Sequence, residues 1–169
     1  MYYSYFMKRR ALISVTDTKR LVPFARFLET QKFEILSTGG TAKLLRQNKI
    51  KVTDVSRYTK TPESLGGRLK TLHPKIFGGI LFRRDSKSDP AEAKKYGYFP
   101  IDIVVVNLYN YSKAAQHATS KEAVIEQIDI GGPSLLRAAA KNHSAVTVIC
   151  DPNDYTKVKK EMEKKDAAT

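Results

Sequence analysis

The sequence predicts an α/β fold, one doubly wound domain with a mainly parallel central sheet and helices on both faces, and three observations carry it. Short apolar runs alternate with helix-spaced stretches, giving β-α-β-α-β within about 45 residues, the pattern of parallel strands joined by crossover helices. The run Ile101-Asp102-Ile103-Val104-Val105-Val106 is almost wholly β-branched, as a central strand buried on both faces requires. Three junctions flanked by apolar runs are rich in glycine, hydroxyls or cations: Ser37-Thr38-Gly39-Gly40-Thr41, Arg68-Leu69-Lys70-Thr71-Leu72-His73-Pro74 and Asp129-Ile130-Gly131-Gly132-Pro133. Such junctions gather where the carboxyl ends of parallel strands open onto a ligand crevice.

Taken in order, Ala11 to Val15 reads as a buried strand and Thr16-Asp17-Thr18 as the polar turn after it. Leu21, Val22, Phe24, Ala25, Phe27 and Leu28 then recur at helical spacing. Phe33 to Leu36 is a second strand, Leu44 and Leu45 mark the next helix, and Val52 to Val55 is a third strand. Residues 57–75 lack periodicity and contain Pro62, Gly66, Gly67 and Pro74, so they read as a long functional loop. Ile76 to Phe82 reads as a further strand-like run around a double glycine. After the central strand come helices over Lys121 to Ile128 and Pro133 to Lys141, a last strand from Ala145 to Cys150, and a last helix from Asn153 to Lys165.

A length of 169 residues suits one compact domain. Residues 1–10 read as a leader, with Met7 as a candidate start, and residues 11–169 as the domain. No apolar run approaches the roughly 18 residues of a membrane span, so no membrane partner is expected. The single cysteine, Cys150, ends an apolar run and is expected to be a buried, inert thiol in a reducing cytoplasm. Three scattered histidines predict no metal site. The net charge of +13 makes nucleic acid the default partner. However, the cations are spread along the chain with little aromatic interleaving, and Lys157 to Lys165 reads as a solvated helix face. No nucleic-acid partner is expected, and a polyanionic metabolite accounts for the remaining excess.

Each junction has a chemical reading and a plainer one. Gly39 and Gly40 let a ligand approach the backbone, the next helix offers unpaired N–H groups, and Thr38 and Thr41 add hydroxyls. The same residues serve as an ordinary strand-to-helix turn with a threonine cap. Arg68 and Lys70 lie two apart, which in an extended loop aims both to one side: Arg68 as a fork for oxyanions, Lys70 as a compact charge able to move a proton. The alternative is a solvated basic loop. Asn107 and Tyr109 follow the central strand as ligand contacts, or as a tyrosine packed under a loop. Gly131 and Gly132, ahead of Pro133 at a first helical position, suit an oxyanion, while Asp129 alone would cap that helix.

Assembled, these ordered segments resemble the inosine monophosphate (IMP) cyclohydrolase domain of the bifunctional purine biosynthesis family. The likeness runs from about Arg10 to Tyr155 and includes Ala11-Leu12-Ile13-Ser14-Val15, Ser37 to Ala42, Gly66 to Pro74, Asn107-Leu108-Tyr109, and Gln127 through His143. It implies a methylglyoxal-synthase-like three-layer fold. It also implies a ring closure, without cofactor or metal, that converts 5-formamidoimidazole-4-carboxamide ribonucleotide to IMP and water. By this resemblance Lys70, Tyr109, Asp129 and Lys141 stand at catalytic positions. Thr16, Asp17, Thr18, Thr38, Gly39, Gly40, Thr41, Arg68, Leu69, Lys70, Thr71, Val106, Asn107, Asp129, Ile130 and Gly131 stand at nucleotide-binding ones. A homodimer is compatible with the family, whose members carry a C-terminal formyltransferase domain.

Two departures qualify the likeness. The family has Ser-Asp-Lys after its first strand where this chain has Thr16-Asp17-Thr18-Lys19, which displaces the cation by one residue. The length leaves no room for the formyltransferase, so the cyclohydrolase alone is expected. The implied relay between Asp129 and Lys141 also meets a geometric tension, since a straight helix over Gly132 to Lys141 would hold its ends about 14 Å apart. Rival readings are a methylglyoxal-synthase-type lyase, a nucleotide-sensing module without chemistry, and a nucleic-acid binder.

Overall fold

The computed structural model describes residues 8–108 and 120–166. Residues 1–7 of the expected leader lie outside these. Five strands form the sheet: β1 (Arg10–Val15), β2 (Glu34–Ser37), β3 (Val52–Asp54), β4 (Ile103–Asn107) and β5 (Thr147–Ile149). Their order is β3-β2-β1-β4-β5, and every pairing is parallel. The helices among the described residues are α1 (Leu21–Thr30), α2 (Gly39–Gln47), α3 (Val55–Thr59), α4 (Pro74–Leu81), α5 (Asp89–Tyr96), α6 (Lys121–Glu126), α7 (Gly131–Lys141) and α8 (Tyr155–Asp166).

Strand alternation divides the core into two layers. Ala11, Ile13, Ile35, Ile103 and Val105 face one side and pack with Leu21, Phe24 and Leu28 of α1, Leu45 of α2 and Tyr155 of α8. Leu12, Leu36, Val104 and Val106 face the other side, against Val55 of α3, Ile76 and Ile80 of α4, and Leu135, Ala138 and Ala139 of α7. The result is three layers, with β1 and β4 at the centre and buried throughout most of their length. The β-branched run after Pro100 therefore is the central strand the sequence predicts.

Three local expectations need correction. Ile76 to Phe82 belongs mostly to α4 and contains no strand. Pro74 occupies the first turn, where its fixed φ suits a helix, and the His73 ring accepts the Lys75 N–H as a cap. Ile76 and Ile80 are four apart on the buried face, and the glycines permit close approach: a Cβ on Gly78 would stand 2.4 Å from the Tyr98 ring, one on Gly79 2.4 Å from the Phe99 carbonyl oxygen. Cys150 is exposed, not buried, because the edge strand β5 ends at Ile149, one residue before it. Residues 57–75 are less open than a featureless loop, since Ser64 and Leu69 exchange backbone hydrogen bonds of 3.1 and 3.3 Å around a 3₁₀ turn at Leu65–Gly67. The sequence reading also passed over α5, whose only buried residue is Ala93, leaving no apolar stripe to detect. Pro90 starts that helix and Gly97 ends it in the left-handed conformation.

No helix among the described residues is long and apolar enough to cross a membrane.

Candidate functional site

From β1 the chain winds outward through β2 to β3, and from β4 it winds the other way to β5. The carboxyl ends of β1 and β4 therefore mark the topological switch point, where α/β sheets hold their ligands. A cleft of about 1000 Å³ opens there, lined by Val15 at the end of β1, Thr16 after it, Val106 and Asn107 of β4, and all three junctions.

Asn107 is buried, and its side chain fastens the floor of this cleft. Its Oδ1 accepts hydrogen bonds from the backbone N–H of Thr16 and Asp17, at 2.8 and 2.9 Å, and from the Thr16 hydroxyl at 3.1 Å. Its amide donates to the Asp17 carbonyl at 2.8 Å. The same side chain lines the cleft and holds the turn after β1 in place. Thr41 does similar work for α2, donating its hydroxyl to the Val15 carbonyl at 3.0 Å and accepting the Val15 N–H at 3.2 Å.

The amino end of α2 is set against the cleft by these bonds. Thr38 precedes the helix without capping it through its side chain, and its hydroxyl instead donates to Glu63. Gly39, Gly40 and Thr41 line the cleft, and their N–H groups belong to the first turn, which has no intrahelical acceptors. A phosphate is the natural complement of that geometry.

Arg68 and Lys70 both line the cleft, although the backbone at Arg68 is helical and not extended. Each cation is paired with a carboxylate from another segment. Arg68 forms a two-pronged contact with Glu126 of α6, which raises the guanidinium above its ordinary value and lowers the carboxylate. Lys70 Nζ lies 3.7 Å from Glu63 Oε2. Both pairs are substantially exposed, so an incoming anion can exchange with the carboxylates at small cost. Thr71 is buried and brings this loop against the start of α7, its hydroxyl 3.1 Å from where a Gly131 Cβ would be.

At α7 Asp129 caps the helix, accepting the Gly132 N–H on Oδ1 at 3.0 Å. A Cβ on Gly132 would stand 2.5 Å from Asp129 Oδ2 and 2.6 Å from Leu108, so any larger residue would push the capping carboxylate aside. With the Gly132 N–H engaged, Ile130 and Gly131 remain as candidate donors to an oxyanion.

Of the residues expected from sequence, Thr16, Thr18, Thr38 to Thr41, Arg68, Lys70, Thr71, Val106, Asn107, Asp129, Ile130 and Gly131 meet around one cleft. Asp17 instead turns back on its own chain, accepting the Lys19 N–H at 2.9 Å, and Leu69 stands outside the lining. Lys141 is exposed at the far end of α7, ten residues on from its start, or roughly 15 Å at 1.5 Å per residue. The direct relay between Asp129 and Lys141 is thereby lost. Tyr109 lies outside the described residues. Sequence reasoning missed Glu63 and Glu126, which carry no motif of their own. Their only signal was a position close to Arg68 and Lys70 in one case and to Gln127 in the other.

The fold and the cleft can now be set beside known proteins. The MGS-like domain description matches residues 20–134. The chain belongs to that family. The AICARFT/IMPCHase bienzyme description matches residues 139–169. The bifunctional purine biosynthesis protein PurH of Anaeromyxobacter dehalogenans (strain 2CP-C) is 53% identical over 157 residues, which are 93% of this chain and 30% of that protein. PurH of Rhodospirillum rubrum is 53% identical over 161 residues, covering 95% and 31%. The chain thus spans about a third of the length of these curated relatives. Among solved structures, ForH superposes with a TM-score of 0.83 and 36% identity over 92% of this chain and 79% of that one.

Proposed function

We propose that this chain is an IMP cyclohydrolase that closes the purine ring of 5-formamidoimidazole-4-carboxamide ribonucleotide. The observation that carries the reading is the convergence of the α2 amino end, Arg68, Lys70 and the Asp129–Gly131 segment on one switch-point cleft. The relatedness to purine biosynthesis proteins supplies the substrate class.

In this reading the phosphate sits at the first turn of α2, with Arg68 exchanging Glu126 for a phosphate oxygen. The imidazole then lies toward α7, its two arms folded into the cyclising rotamer. Such orientation supplies a large part of about 7–11 kcal/mol, which an amide nitrogen needs because it is a poor nucleophile. The carboxamide nitrogen attacks the formyl carbon, and Lys70 helps to remove the proton it sheds. The formyl oxygen gathers negative charge beside the Ile130 and Gly131 N–H groups, then takes up a proton to become a hydroxyl. That hydroxyl leaves as water while the former formamido nitrogen loses its proton and the C=N bond forms. Asp129 is placed to pass a proton in the second step. Lys141 takes no part at this distance, and Tyr109 keeps the catalytic position the resemblance gave it.

The reading is tested by mixing the purified chain with the formylated ribonucleotide and following IMP spectroscopically, without added metal or cofactor. Conversion well above the buffer rate supports it. Conversion at the buffer rate removes catalysis and leaves a nucleotide-binding module.

A further inference from the structure

We propose that Glu63 is a positioning residue for this site, joining the glycine junction to Lys70 so that the phosphate-binding end and the Lys70 side chain hold one fixed separation. This deepens the cyclohydrolase reading and rests on it. The two carboxylate oxygens divide the work: Oε1 accepts the Thr38 hydroxyl immediately ahead of α2, and Oε2 stands 3.7 Å from Lys70 Nζ. Gly67 leaves the lane through which the Lys70 side chain reaches that oxygen. A Cβ on Gly67 would lie 2.8 Å from Lys70 Cε, 3.2 Å from Nζ and 4.0 Å from Glu63 Oε2, and its φ of +88° disfavours any other residue.

Three further features point to orientation as the purpose. Glu63 is not part of the cleft lining, so it acts through Thr38 and Lys70 and not on ligand. A negative charge next to a phosphate site opposes binding by simple Coulomb repulsion, so charge attraction does not explain its presence. The ion pair is exposed enough on both sides that stability does not explain it either. Geometry remains: Glu63 immediately precedes the turn closed by Ser64 and Leu69, which fixes its backbone relative to Lys70.

Two substitutions separate the two contacts. Glu63→Gln keeps an amide oxygen for Thr38 and removes the charge facing Lys70, while Glu63→Ala removes both. We expect kcat for IMP formation to fall about tenfold in each, with KM held within about threefold in Glu63→Gln and raised about tenfold in Glu63→Ala. Melting temperatures within about 3 °C of the unaltered chain confirm that folding is intact. Unchanged kcat and KM in both variants overturn the proposal, as does an equal loss in both accompanied by a lower melting temperature, which marks a merely structural glutamate. If the unaltered chain makes no IMP, the cyclohydrolase reading fails by itself, and calorimetric IMP affinity decides for Glu63. Binding weakened about tenfold in Glu63→Ala and held in Glu63→Gln then supports it, and equal affinity in both overturns it. An unaltered chain that neither turns over nor binds IMP overturns both ideas.

Discussion

The two ends of the sheet treat charge in opposite ways. At the amino end Arg10 is buried, with its guanidinium over Phe99 at 4.9 Å and its Nε donating to Glu34 at 3.0 Å. Its backbone N–H donates to Asp102 at 2.8 Å, and Arg84 lies 3.6 Å from the same carboxylate while donating to the carbonyls of Gly79, Phe82 and Ile101. Burial lowers Arg84 from the ordinary guanidinium value and raises Asp102 from the carboxylate range. At the carboxyl end Arg68 and Lys70 are exposed, and each has a carboxylate partner within reach of solvent. Charges at the amino end are mostly buried and bonded to several partners, whereas those lining the cleft are left exchangeable.

The sharpest break of this contrast is Arg10→Ala, which takes the buried guanidinium away from Glu34 while the backbone bond to Asp102 stays. Denaturant unfolding is expected to show a loss of about 3–5 kcal/mol, with turnover per folded molecule unchanged. Lys70→Ala should do the reverse. Steady-state kinetics are expected to lose about a hundredfold or more in kcat, roughly 3 kcal/mol of barrier, while the melting temperature stays put. Smaller still is Arg68→Ala, for which KM should rise about tenfold through loss of the phosphate contact proposed for it. The gentlest effect concerns Asp102. Because its carboxyl holds a proton more tightly when folded, the native state binds more protons than the unfolded chain between the ordinary carboxylate range and the raised value. Stability conferred at acid pH is therefore lost as pH rises through that window, and Asp102→Asn should flatten that slope in melting curves recorded across pH.

How much of this was legible in the sequence depended on whether a residue works with its neighbours or with distant partners. The β-branched run from Ile101 to Val106 and the spaced apolar residues of α1 stated their structure locally; α1 stands as read, and the strand is there with its start at Ile103. The run Ile76 to Phe82 misled because its glycines and β-branched residues resemble a strand, while the helix depends on a His73 cap and on contacts with Tyr98 and Phe99. In the site, the glycine junctions were readable as motifs. The duty of Asn107 toward Thr16 and Asp17, some ninety positions away, was not. Glu63 and Glu126 were invisible for the same reason, since no spacing rule links them to Lys70 and Arg68.

The place of β1 in the middle of the sheet has a kinetic consequence. One of its neighbours, β2, follows closely in the chain, but the other, β4, places Asp102 against Arg10 from 92 residues away. A nascent polypeptide can thus assemble the first three strands while one flank of β1 is still bare. At ribosomal speeds that flank waits roughly 5–20 s for its partner to be synthesised. During this interval it is an adhesive edge, and the emerging chain is most open then to capture by chaperones or by other copies of itself.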